Sequence, residues 1–482
     1  MEKRKIVVDV RNVVTRLPEL QFTSPVNWTI EEGQQWAIVG PNGAGKTLLA
    51  DMMQRKFAFR EGEVTFASDA KLTSFIKSIA FKDLYSLADL GNSYYQQRWH
   101  QTEADDVPLV KDLLQAYWGT AALEKILRLF NIEDLLPKKI IFLSSGELRK
   151  FLIVRTLLSN PRILILDNPF IGLDASSREL LKDTLAKITE VHNIQVILIL
   201  SNPNDIPPMV THVQPVLDKT CLSPCTRAEF LANGELLERL FPTEKASTIN
   251  LPVDPEKKAS THAVTLRMEK IHVKYGERVI LQDLDWEIKN GEKWALCGPN
   301  GAGKSTLLSL VCADNPQSYA NTFYLFDRKR GSGESIWDIK KRIGYISPEM
   351  HIYYKENVSA LKIVSSGFFD SIGLYRTCNA EQEALALEWM KVFGVEHLTD
   401  RLFMTLSTGE QRLVLLARAF VKDPDLIILD EPLHGLDISG KRKVIGIIER
   451  FCERPGKTLI YVTHYLEELP ACVCSHFELQ KM

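Results

Sequence analysis

One heptapeptide occurs twice in this 482-residue chain, within Gly40-Pro-Asn-Gly-Ala-Gly-Lys-Thr47 and Gly298-Pro-Asn-Gly-Ala-Gly-Lys-Ser305. Each follows a short apolar run, Trp36-Ala-Ile-Val39 or Trp294-Ala-Leu-Cys297, and leads into a helix-like apolar stretch, residues 47–53 or 305–311. Strand, glycine turn and helix start gather backbone N–H groups around one point, and the helix end adds about half a positive charge. Glycine supplies positive φ and leaves room for oxygen atoms. This is the pattern of a P-loop, in which Lys46 and Lys304 reach the β- and γ-phosphates and Thr47 and Ser305 offer hydroxyls to Mg2+. Gly40, Asn42, Gly43 and Gly45 complete the first candidate cradle; Gly298, Asn300, Gly301, Gly303 and Thr306 complete the second.

Further motifs recur at nearly the same offset. The P-loop lysines are 304 − 46 = 258 residues apart, and Asp167 and Asp430, each ending an apolar run, are 430 − 167 = 263 apart. Asp174 and Asp437, in Gly-Leu-Asp triplets, are also 437 − 174 = 263 apart. Such regularity means that a whole domain has been duplicated. Buried strands are expected at residues 162–166, 196–200, 426–429 and 459–462, with helical segments between them, so the fold class is α/β with parallel βαβ connections. Residues 1–240 and 264–482 are the expected domains. Residues 241–263, with three prolines and many polar side chains, read as a short, semi-extended linker.

Asp167 and Asp430 are placed to hold the Mg2+ that Thr47 and Ser305 face. Leu143-Ser-Ser-Gly-Glu147 and Leu406-Ser-Thr-Gly-Glu410 stand 20 residues before these aspartates (167 − 147; 430 − 410), each ahead of a helix-like run. A hydroxyl and a glycine at a helix start make an anion site; Ser-x-x-Glu is also a capping box. Taken with the P-loops and aspartates, both copies resemble the signature motif of ABC-type ATPases, and the resemblance covers nearly all the chain outside the linker. It implies two tandem domains, each with a mixed or parallel sheet core and a helical subdomain, binding ATP and Mg2+. It also implies a head-to-tail sandwich, within one chain or between two. Ser144, Ser145 and Gly146 would then face the nucleotide on Lys304, and Ser407, Thr408 and Gly409 the one on Lys46.

The family places a glutamate directly after the strand-end aspartate to orient and deprotonate water. Glu431 fits; Asn168 stands at the matching place and is a very poor proton acceptor. The family's histidine at a later strand end is matched by His464, and by Asn202 in the first copy. Local capping by the two asparagines is the alternative reading, and it supplies no base. An early-loop aromatic that stacks on adenine is matched by Tyr275, 23 residues before the second P-loop (298 − 275), whereas the first copy offers only the neighbourhood of Arg16 and Leu17. The resemblance thus implies catalysis by Glu431, His464 and Lys304, with the first site weak. The family's metal-side glutamine is matched by Glu349 in the second copy and by Lys82 in the first.

The net charge of −2 lacks the basic excess of a general nucleic-acid binder, so no nucleic-acid partner is expected. No apolar run approaches the roughly 20 residues that cross a bilayer, and the start carries no leader-like stretch. A cytoplasmic protein, peripheral at the inner face of a membrane if it serves a permease, is expected. Cys221-x3-Cys225 and Cys472-x-Cys474 fit no zinc spacing; reduced thiols are the simpler reading of the eight cysteines. Residues 326–345 and 367–376 resemble the tandem ATP-binding proteins associated with molybdate transport. A translation-type tandem ATPase, which usually keeps both glutamates and a long charged linker, and a non-hydrolysing nucleotide-gated regulator are the competing readings. In the transport reading, residues 350–354 with Phe368 and Phe369 either contact a permease or belong to the core.

Overall fold

A computed structural model describes residues 5–67, 75–80, 108–140, 143, 145–171, 173, 175–192, 194–242, 250–253, 261–276, 278–299, 301–348, 350, 354, 358–371, 374 and 376–481. Contacts divide the chain into two compact units, Met1–Thr243 and Glu244–Met482.

In the first unit, β1 (Ile6–Thr15) pairs antiparallel with β2 (Val26–Glu31) and β4 (Phe59–Phe66). The main sheet is built on β3 (Trp36–Val39), flanked by β7 (Gln195–Leu200) and β8 (His212–Leu217), both parallel to it. Beyond β7 lie β6 (Ile163–Asp167) and β5 (Ile76–Ala80), again parallel. Antiparallel β9 (Thr220–Cys221) and β10 (Cys225–Thr226) finish the β8 side. β3, β6 and β7 are buried at every position, as strands covered on both faces must be. Helices α1 (Lys46–Met53), α2 (Ala121–Phe130), α3 (Ser145–Leu157) and α4 (Ala175–His192) accompany these strands, and two short helices, Arg227–Ala232 and Gly234–Leu240, follow β10.

The second unit repeats the plan. β11 (Val264–Tyr275) pairs with β12 (Arg278–Lys289) and β14 (Thr322–Leu325), which pairs with β15 (Arg328–Lys329), all antiparallel. A parallel sheet runs in the order β16 (Ile343–Ile346), β17 (Leu426–Asp430), β18 (Thr458–Val462), β13 (Lys293–Cys297), β19 (Ser475–Glu478). α5 (Lys304–Val311) follows β13, and α9 (Ile438–Cys452) precedes β18. α6 (Ala360–Ser365), α7 (Ala380–Phe393) and α8 (Thr408–Phe420) form the helical subdomain around Trp389, Phe393 and Phe420, whose rings lie 5.5–6.3 Å apart. Tyr354 is buried there, and Met350 and Phe368 pack against the same cluster, so these three belong to the core.

The duplication extends into side-chain contacts. Trp28 meets Trp36 edge-on at 5.4 Å, and Trp286 meets Trp294 likewise at 6.0 Å. Trp36 Nε1 donates to Gln34 at 3.0 Å and Trp294 Nε1 to Glu292 at 2.9 Å. These partners keep the 258-residue offset of the P-loops (294 − 36; 292 − 34).

At the start of the second unit His262 is buried against Phe326, their rings 5.0 Å apart. Arg342 Nη2 donates to His262 Nδ1 at 2.9 Å, so Nε2 carries the ring proton and donates to Thr265 Oγ1 at 2.9 Å. Burial, and then the Arg342 charge, hold the imidazole below its ordinary pKa, against the opposing pull of Asp425 and Asp327. Below about pH 6.5 the unfolded chain gains a proton here that the folded chain resists. Stability should therefore fall as pH drops through that value and be indifferent to this group above it. Calorimetric melts between about pH 8 and about pH 5 check this, since the loss of Tm should shrink in His262→Gln. Equal pH slopes in both proteins would contradict it.

Candidate functional site

Each P-loop joins a buried strand to a helix through a left-handed glycine. Gly45 (φ 101°) caps α1 and Gly303 (φ 97°) caps α5. Lys46 is buried, and its Nζ donates to the carbonyls of Gly40 at 2.9 Å and Pro41 at 2.7 Å. Lys304 Nζ makes the same pair with Gly298 at 2.7 Å and Pro299 at 3.1 Å. Both ammonium groups are thereby held over the mouth of their loops. Thr47 and Ser305 are exposed at the helix starts, while Thr306 is buried. Asn42 accepts from Ser201 Oγ at 3.0 Å. Gly43 and Gly301 have positive φ and open surroundings. A Cβ on Gly40 would sit 2.0 Å from the Val216 carbonyl oxygen. Gly40→Ala should therefore displace β8 from β3 and cost at least about 2 kcal/mol, read as a fall in the chemical-denaturation midpoint; an unchanged midpoint would contradict the packing described.

Asp167 and Asp430 end β6 and β17 and are buried. Thr47 Oγ1 donates to Asp167 Oδ2 at 2.8 Å, which brings a hydroxyl and a carboxylate together beside Lys46. These are the hard oxygen donors that suit Mg2+, which takes most of its remaining ligands from phosphates and water. Among the described residues no group of three or more His, Cys, Asp or Glu side chains could hold a metal alone.

The next residue separates the two units. Asn168 and Glu431 share one backbone geometry, with φ 50° and 49°. Their amides donate to Ile199 and Val462 of the adjacent strands, each at 2.9 Å. The Asn168 Nδ2 group donates to Asp167 Oδ1 at 2.9 Å, and its oxygen lies 3.5 Å from Ser201 Oγ. Glu431 is buried, and its Oε1 accepts the His464 amide at 3.1 Å, with His464 Nε2 at 3.6 Å. Burial, followed by the Asp430 and Glu468 carboxylates, pushes the Glu431 carboxyl up to about 8. Such a group accepts a proton readily once it is ionised. Asn202 accepts from the Asn204 amide at 2.9 Å and caps a short turn, so here the capping reading describes its contact.

In the second unit the signature segment is also a capping box. Ser407 accepts from Glu410 N at 3.3 Å and Glu410 Oε2 accepts from Ser407 N at 2.7 Å. Helices α3 and α8 start at Ser145 and Thr408, three residues before the apolar runs at Leu148 and Gln411, and in α8 the capped first turn accounts for the early start. Ser407 and Thr408 are exposed and Gly409 is buried; Gly146 packs by Leu173 and Ser177. Tyr275, half-buried, accepts at its hydroxyl from Asn315 Nδ2 at 2.9 Å. Leu17, at the matching place, is exposed. Ser144, Asn300, Glu349, Asp174 and Lys82 lie outside the described residues.

Sequence reasoning missed a pair of buried arginines. Arg412 on α8 donates to the carbonyls of Ser347 at 2.7 Å, Pro432 at 3.0 Å and Asp430 at 2.9 Å, and to that of Glu431. Arg149 on α3 donates to Pro169 at 3.2 Å. Their separation, 412 − 149 = 263, equals that of the two strand-end aspartates and was the available signal.

Comparison with known proteins agrees with this geometry. Residues 23–171 and 281–434 each match the family model described as ABC transporter. The chain is 36% identical to the ABC transporter ATP-binding protein ModF of Escherichia coli (strain K12), over 96% of this chain and 94% of that one. It is 29% identical to an uncharacterized ABC transporter ATP-binding protein of Schizosaccharomyces pombe, over 93% and 92%. Among solved structures, an archaeal ribosome recycling factor, aABCE1, in complex with the stalk protein aP1 shares the fold with a TM-score of 0.57 at 19% identity, over 97% of this chain and 87% of that one. No described helix is long and apolar enough to cross a membrane. With both halves matched and both nucleotide motifs assembled on the same scaffold, the chain belongs to the ABC transporter family of ATPases and carries two of its ATP-binding domains in tandem.

Proposed function

We propose that the chain hydrolyses ATP mainly at the second site and clasps Mg-ATP at the first. The observation that carries this reading is that Asn168 stands where the second unit has Glu431, with the same positive φ and the same backbone hydrogen bond to the adjacent strand. At the second site Lys304 and the α5 N-terminus would bind the phosphates, and Ser305 and Asp430 would hold Mg2+, whose charge would offset that of the phosphates. Glu431 takes the proton of the attacking water, and His464 sits at the γ-phosphate end. Tyr275 receives the adenine. At the first site Lys46, Thr47 and Asp167 perform the binding tasks, while the Asn168 amide, committed to Asp167, accepts no proton. Glu349 takes the place of the usual glutamine on the metal side.

In this reading the two domains close head to tail, within one chain or between two, with Ser407, Thr408 and Gly409 over the nucleotide on Lys46. Ser144, Ser145 and Gly146 close over the other. Equilibrium binding should titrate to two ATP per chain, and Asn168→Ala should leave the hydrolysis rate within about twofold of the parent, because it removes no base. A large fall in that variant would place chemistry at the first site.

The 36% identity to the Escherichia coli ABC transporter ATP-binding protein ModF supports a role beside a membrane permease, and the resemblance of residues 326–345 and 367–376 makes molybdate the cargo of this reading. Tagged protein bound to membranes of its own cells should retain permease subunits. Recovery of ribosomes without permease would favour the translation reading, and tight ATP binding without turnover would favour the regulator.

A further inference from the structure

We propose that Phe22 is the base-stacking platform of the first nucleotide site, taking over a task for which Leu17 has no ring. The inference rests on reading the first P-loop as an ATP site. β3 has a different neighbour on each side: β7, leading to β6 with Asp167, and β8. Lys46, Thr47 and Asp167 mark the phosphate and metal end toward β7 and β6. The nucleoside must then leave on the opposite side, toward β8.

That side carries a structure of its own. Asp218 and Lys219, both at positive φ (45° and 53°), turn the chain between β8 and β9. The Lys219 amide donates to the P-loop carbonyl of Ala44 at 2.9 Å, and its carbonyl accepts the Thr23 amide at 2.8 Å. Thr23 and Thr220 hydroxyls meet at 2.8 Å, and Lys219 Nζ donates to the Glu19 carbonyl at 2.6 Å. The hairpin thus clamps the loop of residues 16–23 onto the P-loop. Inside the clamp, Phe22 ring carbons lie 3.5 Å from the point a Cβ would occupy on Gly45, the residue that caps α1. Phe22 is half-buried, at the edge of the first unit's hydrophobic core. In the second unit the same separation from the capping glycine (45 − 22 = 303 − 280 = 23) falls on Ile280, an aliphatic side chain, and the ring is supplied by Tyr275. The aromatic has moved five residues along the loop (22 − 17) and toward the phosphate cradle.

A stacking platform recognises the base and ignores the phosphates, and this separates it from a residue that merely supports the fold. The full chain carrying Lys304→Ala isolates the first site. Titrations with ATP and with inorganic tripolyphosphate are compared in that background for Phe22→Leu, which keeps apolar bulk, and Phe22→Trp, which keeps a ring. Phe22→Leu should weaken ATP about tenfold, in line with the loss of one base–aromatic stack, and leave tripolyphosphate affinity unchanged. Phe22→Trp should bind ATP like the parent. Unchanged ATP affinity in Phe22→Leu, or equal weakening of both ligands, would overturn the inference. If the Lys304→Ala parent binds no ATP at all, the reading of the first P-loop fails instead.

Discussion

Glu431→Gln should lower steady-state ATP hydrolysis by about 10²–10⁴-fold while leaving ATP binding intact. The range is the ordinary worth of a positioned general base, equivalent to about 3–5 kcal/mol of barrier. The exchange keeps the side chain's size and an acceptor oxygen, so the contact from the His464 amide at 3.1 Å survives. What is lost is basicity, so the variant's second site, like the first, carries an amide where the base would stand. Multiple-turnover phosphate release alongside equilibrium ATP binding separates the two effects. A variant that turns over at the parental rate would remove Glu431 from the chemistry, and one that binds no ATP would assign it to the fold of the loop.

Arg412→Met should destabilise the second unit by about 3–5 kcal/mol and abolish its turnover. The guanidinium is buried, and burial brings it down to about 10, so it is charged at neutral pH. It ties α8, the helix that begins at the signature segment, to the carbonyls that follow β16 and β17. Removing it strands several buried carbonyl oxygens and frees the segment that aims Glu431. Chemical denaturation reads the first effect. The second is read as turnover well below denaturing conditions, where a purely global loss of stability would spare the folded fraction. An unchanged denaturation midpoint would show that the carbonyls find other partners.

The sequence displayed the phosphate cradles and the strand-end aspartates because each is local: an apolar run must end where a glycine turn or a carboxylate begins. It displayed the parallel sheets because β3, β6, β7, β17 and β18 are buried throughout and therefore uninterrupted in their apolar character. The role of Arg412 was not legible for the opposite reason, although its offset from Arg149 was. Its partners are backbone carbonyls, which any residue supplies, and only the fold brings them near α8. Nothing in the sequence places Phe22 beside Gly45, because the Lys219 hairpin that holds its loop on the P-loop lies about 200 residues away along the chain. Tyr354 and Phe368 could be read as surface or core from the sequence, and burial in the helical subdomain decided for the core.

The inequality of the sites is tested most directly by a single-turnover experiment in which the wild-type chain is loaded with two equivalents of ATP and then mixed with Mg2+. A fast release of one phosphate per chain, with the second nucleotide recovered as ATP, is the expected result. Release of two phosphates per chain in a single phase would contradict it.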